Sequence, residues 1–129
     1  MWKIKDIEVD GMVVLAPMAG ITNVAYREFM KPFGVALSYT EMVSDCGLIY
    51  NNQETYRYLE ISPKEHPVGI QLFGGSKETL LAAIDIIENR NIDYDFIDIN
   101  LGCPVPKVTK QNAGSSWLRD EDALFDMMQ

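Results

Sequence analysis

Cys103 has the setting best suited to chemistry in this chain of 129 residues. It follows Gly102 and precedes Pro104, just past an apolar run, where the shape of the backbone can hold a thiol over a pocket. Asn100, three positions earlier on the same loop, can hold the polar edge of a ligand or simply turn the chain. A lone cysteine is more often a small buried hydrophobe, and that is the reading for Cys46, which sits in Val43-Ser44-Asp45-Cys46-Gly47. His66, the only histidine, precedes Pro67 in a polar stretch and reads as a solvated loop residue rather than a ligand or base. The two cysteines are far apart and have no metal-ligand spacing, which predicts free thiols, no disulfide framework and no metal site.

Three further segments end apolar runs in the same way: Pro17-Met18-Ala19-Gly20, Glu41-Met42 and Gln71-Leu72-Phe73-Gly74. Brought to one face with Asn100 and Cys103, they offer small, apolar and amide-bearing groups. Such a lining suits a flat aromatic ring with hydrogen-bonding edges better than a highly charged substrate. Each segment taken alone is equally an ordinary turn. Gly74-Gly75-Ser76 before a helix could cradle a phosphate, but it matches neither established glycine-rich phosphate pattern.

The elements that must position these residues follow from periodicity. Residues 4–9 alternate polar and apolar before Asp10-Gly11, which predicts a short hairpin at one end of the fold. Residues 12–16 form a continuous apolar run suited to a strand buried on both faces. Tyr26, Phe29, Met30 and Phe33 recur at helical spacing, with Asn23 as the cap and Gly34 as the stop. Further strands are expected over 35–39, 68–73 and 96–99, with one or two short helices between the first two of these. A strong helix after Ser76 places Leu80, Ala83, Ile84 and Ile87 on one face, and a last helical pattern begins near Asp120.

Strands alternating with helices imply right-handed crossovers and a parallel sheet. A complete eight-unit barrel takes about 250 residues, so the fold class expected here is α/β, a parallel (βα) half of a TIM-type barrel with about four units. Such a half leaves two unpaired strand edges, which favours self-association.

With 19 acidic against 11 basic residues the net charge is −8, which offers no basic stripe for a phosphate backbone to follow, so these residues alone should bind nucleic acid poorly. No apolar run approaches the roughly 20 residues of a membrane span, and no signal-peptide core opens the sequence, so the chain reads as cytoplasmic.

Together, four segments resemble the tRNA-dihydrouridine synthase family: Leu15-Ala16-Pro17-Met18-Ala19-Gly20-Ile21-Thr22, Tyr39-Thr40-Glu41-Met42, Gln71-Leu72-Phe73-Gly74 and Ile97-Asp98-Ile99-Asn100-Leu101-Gly102-Cys103-Pro104. The first and last are highly specific, and the segment from Val108 to Leu118 fits the same family. The resemblance implies reduction of uridine to 5,6-dihydrouridine in tRNA with FMN and NADPH. Pro17, Met18 and Ala19 would then line the flavin ring, Gln71 would hydrogen-bond it, Asn100 would place the uracil and Cys103 would be the general acid. It also implies that residues 1–129 are the N-terminal half of an FMN-binding barrel. The C-terminal half-barrel and a helical tRNA-binding domain would be absent, so this stretch is expected to be inactive alone. Two other readings stand beside it: an FMN barrel acting on a free pyrimidine such as dihydroorotate, and a non-catalytic half-barrel module.

Overall fold

The computed structural model describes residues 1–129. The chain opens with a two-stranded antiparallel hairpin, β1 (Trp2–Ile4) and β2 (Ile7–Val9), in register Ile4 to Ile7. Val9 is fully buried against Ala36 and Leu37, so the hairpin packs on the start of the main sheet rather than standing free. Gly11 permits this approach. Its φ is 126°, and a Cβ there would lie 2.9 Å from the Ala36 side chain.

The main sheet is parallel throughout: β3 (Val13–Leu15), β4 (Val35–Tyr39), β5 (Val43–Ser44), β6 (Val68–Phe73) and β7 (Phe96–Ile99). β4 pairs with the first half of β6 and β5 with its end, so these two short strands are one line broken at Thr40–Met42. β7 also pairs with β6, with Gln71 opposite Asp98 and Leu72 opposite Ile99. The outer strands of this order are β3 and β7.

Helices fill the crossovers. α1 (Val24–Met30) is capped by Asn23 and runs into a 3-10 turn that stops at Gly34. α2 (Asp45–Ile49) and α3 (Gln53–Arg57) are the two short helices before β6. α4 (Lys77–Glu88) begins at Ser76, whose side chain accepts from the Thr79 N–H. α5 (Pro106–Thr109), a 3-10 turn over Gly114–Arg119 and α6 (Glu121–Met128) follow β7. Alternating strands and helices on a parallel sheet make this a mixed α/β fold, part of a TIM-type barrel.

Strand alternation sends β6 and β7 side chains to two different environments. Ile70, Leu72, Ile97 and Ile99 face the helices and pack with Leu80, Ala83 and Ile87 of α4, with Leu48 of α2 and with Trp117. This is the main core, and it contains the α4 face expected from periodicity. Trp117 locks it by donating from Nε1 to the Gly74 carbonyl at 2.8 Å.

Two expectations are corrected, and one apolar helix face lies open. The 12–16 run is not buried on both faces: Val13 is 53% and Val14 41% exposed, because β3 lies at the edge of the sheet. The apolar face of α1 and the turn after it is open, with Phe29 and Phe33 exposed and their rings tilted against each other at 5.5 Å, while the residue that α1 buries is Arg27. Periodicity marks an apolar face without saying what covers it. Finally, His66 is half-buried rather than solvated. Its Nδ1 lies 2.8 Å from Asp95 Oδ2, and the same oxygen accepts the Val68 N–H, so the ring helps tie the entry of β6 to the entry of β7.

Candidate active site

The strand ends collect the four segments singled out by sequence. After β3, the loop from Met18 to Thr22 is held by its own bonds: Ile21 and Thr22 donate their N–H groups to the Met18 carbonyl, and Met18 N–H donates to Thr22 Oγ1 at 2.9 Å. Thr22 is fully buried, whereas Met18, Ala19 and Gly20 are exposed and Pro17 is half-buried. The loop therefore presents Pro17, Met18 and Ala19 from a fixed base.

Glu41 fastens that loop to the next strand, with the Gly20 N–H donating to its Oε1 at 2.5 Å. Although its side chain is a carboxyl group, Glu41 is only 6% exposed. Beside it, the Thr40 hydroxyl donates to the Glu41 carbonyl at 2.9 Å and accepts from the Gln71 N–H at 3.1 Å. Thr40 thus bridges the break between β4 and β5 and joins it to β6.

Gln71, Asp98 and Asn100 share the face of the sheet opposite the main core, as strand parity requires. Gln71 is buried and donates from Nε2 to Asp98 Oδ2 at 2.6 Å. Its Oε1 accepts from Asn100 Nδ2 at 3.3 Å. Asn100 Oδ1 in turn accepts from the N–H groups of Gly102 at 3.3 Å and Cys103 at 3.0 Å, which closes a tight turn around the cysteine. The far side of this turn is fixed by Ser115 N–H donating to the Cys103 carbonyl at 3.0 Å. Gly114, φ 59°, allows that contact, since a Cβ there would meet the same carbonyl at 2.5 Å.

An unbroken chain of hydrogen bonds thereby runs from Gly20 through Glu41, Thr40, Gln71 and Asn100 to Cys103. Of the residues selected from sequence, Gln71, Asn100 and Cys103 form one cluster, and Ala19 belongs to the loop tied in through Gly20. Pro17 and Met18 stand on that loop without a direct bond to the cluster. A cleft of about 390 Å3 opens at the same end of the sheet, lined by Ala19, Glu41, Met42, Tyr58, Phe73 and Lys107 among others. It lies beside the Gln71–Asn100–Cys103 cluster rather than over it, because none of those three lines it.

Sequence reading placed Glu41 at a strand end on the site face but gave no bonding role to it, to Thr40 or to Asp98. For Asp98 a signal existed: it lies two positions before Asn100, on the same face of one strand. For Thr40 and Glu41 the signal was a pair of polar residues interrupting an apolar run.

Burial and a neighbouring charge act on the second thiol, Cys46. Cys46 is pushed above the ordinary thiol range, first by burial and then by the Asp45 carboxylate beside it. Its thiolate fraction should therefore stay small until the pH passes that of a free cysteine, and labelling by iodoacetamide should lag accordingly. Asp45→Asn removes the neighbouring charge and should move the labelling profile of Cys46 to lower pH. An unmoved profile in a folded variant would discount the carboxylate. Below the cysteine cluster, Tyr39 stacks edge-on to Phe96 at 5.6 Å, and its phenol is held above its usual range by burial and by Asp98.

No group of three or more His, Cys, Asp or Glu side chains is arranged to hold a metal ion, and no helix is long and apolar enough to cross a membrane.

A family model described as Dihydrouridine synthase (Dus) matches residues 14–129, which include all four strand-end segments. A probable tRNA-dihydrouridine synthase of Helicobacter pylori is 36% identical over 115 residues, covering 89% of this chain and 35% of that protein. One from Aquifex aeolicus is 37% identical over 109 residues, 84% of this chain and 34% of that protein. A tRNA-dihydrouridine(47) synthase [NAD(P)(+)]-like protein of Rattus norvegicus is 32% identical over 124 residues, 96% of this chain and 19% of that protein. The chain thus spans about a third of the length of the bacterial relatives. With the match running from Val14, the second residue of β3, to the last residue, and with the strand-end cluster inside it, the chain belongs to the dihydrouridine synthase family.

Proposed function

We propose that these residues form part of an enzyme that reduces uridine to 5,6-dihydrouridine in tRNA, with FMN as the bound cofactor and NADPH as its reductant, in the cytoplasm. The observation that carries the reading is the direct linkage of the Gln71 and Asn100 side chains to each other, and of Asn100 to the Cys103 N–H, at the ends of adjacent strands. The lining fits a flavin ring in kind. Pro17, Met18 and Ala19 supply small and apolar contacts, and Gln71 keeps one amide hydrogen and one carbonyl lone pair beyond those engaged by Asp98 and Asn100.

When bound, FMN supplies the hydride that reduces one carbon of the uracil double bond. The protein's own contribution is to hold the ring edge with Gln71, to place the base with Asn100, and to give the proton for the other carbon from the Cys103 thiol. A hydrogen-bonded turn fixes the backbone that carries that thiol, which favours proton donation over a short distance. A uridine in tRNA must leave its stack to reach such a site, so basic surface outside this chain is expected to bind the RNA.

The same reading accounts for the two open edges. On one side Val13 and Val14 of β3 are exposed, with Phe29 and Phe33 exposed on the following helical segment; on the other, Ile97 and Ile99 of β7 line an open pocket with Met127 and Met128 of α6. We propose that residues 1–129 are the first half of the barrel and that further strands cover these edges, from a C-terminal half-barrel or from a second copy.

Flavin fluorescence titration of the 129-residue chain, with its mass measured in the same buffer, tests this. Saturable FMN binding by an assembly larger than a monomer is expected if a second copy can complete the face. A monomer that binds no FMN would remove self-assembly and leave the site dependent on further barrel strands. For the activity itself, absence of dihydrouridine after incubating unmodified tRNA, FMN and NADPH with the complete enzyme would overturn the proposal.

A further inference from the structure

We propose that Asp98 is the positioning residue of this site: it dictates which way the Gln71 amide faces and, through the bond that Gln71 accepts from Asn100, supports the turn that carries Cys103. A side-chain amide has a donor end and an acceptor end of nearly equal size, so its direction is set by its partners. Here both ends of the series have a fixed character. A carboxylate only accepts, so the group of Gln71 that lies 2.6 Å from Asp98 Oδ2 is the Nε2 amide. Backbone N–H groups only donate, so the atom of Asn100 facing Gly102 and Cys103 is Oδ1. Between them, Asn100 Nδ2 meets Gln71 Oε1. Turning over either amide would set acceptor against acceptor or donor against donor at every one of its contacts.

The register makes Asp98 the residue able to do this. It stands directly opposite Gln71 across the β6–β7 pair, and Asn100 follows two positions later on the same face. Because the bond to Asp98 is charge-assisted, it is the strongest anchor of the series. The amide assigned to the cofactor edge and the turn bearing the acid therefore share one support. Only the identity of the ligand that these amides meet rests on the proposed function.

The test needs neither flavin nor tRNA. In the 15N-labelled chain carrying Cys46→Ser, hydrogen exchange of the Gln71 and Asn100 side-chain amides is followed together with the alkylation rate of Cys103. Asp98→Leu removes the acceptor, and the Gln71 amide protons should exchange about tenfold faster, the factor that one hydrogen bond to a charged group contributes. Asp98→Asn keeps an oxygen of the same size without charge, and the increase should be smaller, about threefold. Backbone resonances away from the site should not move, which separates a positioning effect from general loosening.

Unchanged Gln71 exchange in a folded Asp98→Leu variant overturns the proposal. Should that variant fail to fold, unchanged exchange in Asp98→Asn overturns it. If Gln71 loosens while Cys103 alkylation keeps its parental rate, the transmission to the cysteine turn is overturned. These outcomes are independent of FMN binding, so failure of the flavin reading and failure of this one are distinguishable.

Discussion

Replacing Cys103 by alanine is expected to lower dihydrouridine formation by about 100- to 10,000-fold in the complete enzyme, the range that general acid catalysis supplies. FMN should still bind and still be reduced by NADPH in that variant, because the residues proposed to touch the ring are Pro17, Met18, Ala19 and Gln71. The cysteine turn itself should survive, since it is built from the Asn100 side chain and the backbone of Gly102, Cys103 and Ser115, none of which needs the thiol. The measurement is dihydrouridine content of tRNA alongside the flavin absorbance on adding NADPH. Full product formation by the alanine variant would remove Cys103 from the chemistry. Loss of flavin reduction as well would show that the thiol matters before the base is reached.

The largest expected effect on stability lies at Arg27 and Glu65, where the sequence suggested nothing unusual. Arg27 is 2% exposed and Glu65 fully buried, and the guanidinium meets the carboxylate through both Nε, at 2.5 Å, and Nη2, at 3.1 Å. The remaining groups are also satisfied. Arg27 donates to the carbonyls of Thr22 and Glu60, each at 2.8 Å, and Glu65 Oε1 accepts the Ser62 N–H at 2.7 Å. This pair joins α1 and the base of the first site loop to the segment entering β6.

Removing one partner leaves a buried charge without compensation, so Arg27→Met or Glu65→Leu alone should cost about 3–5 kcal/mol. Changing both together should cost less than the sum of the two, because the orphaned charge is gone. Urea denaturation of the three variants reads this directly. Additive costs would show that the pair is not acting as a unit. Since Thr22 also anchors the Met18 loop, the single variants should weaken whatever ligand that loop holds before they unfold the chain.

Much of the architecture was legible because it depends on local pattern. The 3.6-residue spacing of Leu80, Ala83 and Ile87 places them on one helix face whatever surrounds it, and all three lie in the main core. Asn23 and Ser76 accept from the N–H groups of their own first turns, an interaction that needs no distant partner. The strand runs follow from the same kind of rule, whereas the tyrosine-rich stretch before β6 carries no clear period, and the bounds of its two short helices came only with the structure. The 12–16 run failed by the same logic inverted: an apolar strand at a sheet edge and one in its centre have the same local composition, and only neighbours distinguish them.

Residue types and their order along the chain were enough to determine a parallel α/β framework and four strand-end segments, and to select Gln71, Asn100 and Cys103 as candidates, because side-chain alternation and loop placement are short-range properties. Only the tertiary structure decided that those three are hydrogen-bonded to one another, that Asp98 and Glu41 hold them and their neighbouring loop, that His66 is tied to Asp95, and that Arg27 is buried on Glu65. Each of these contacts joins residues on different strands or loops, with Arg27 and Glu65 38 positions apart, and the sole exception is the turn from Asn100 to Cys103. Such pairings depend on strand register and on the angle at which crossovers pack, quantities set by the summed contacts of the whole sheet and absent from any short window of sequence.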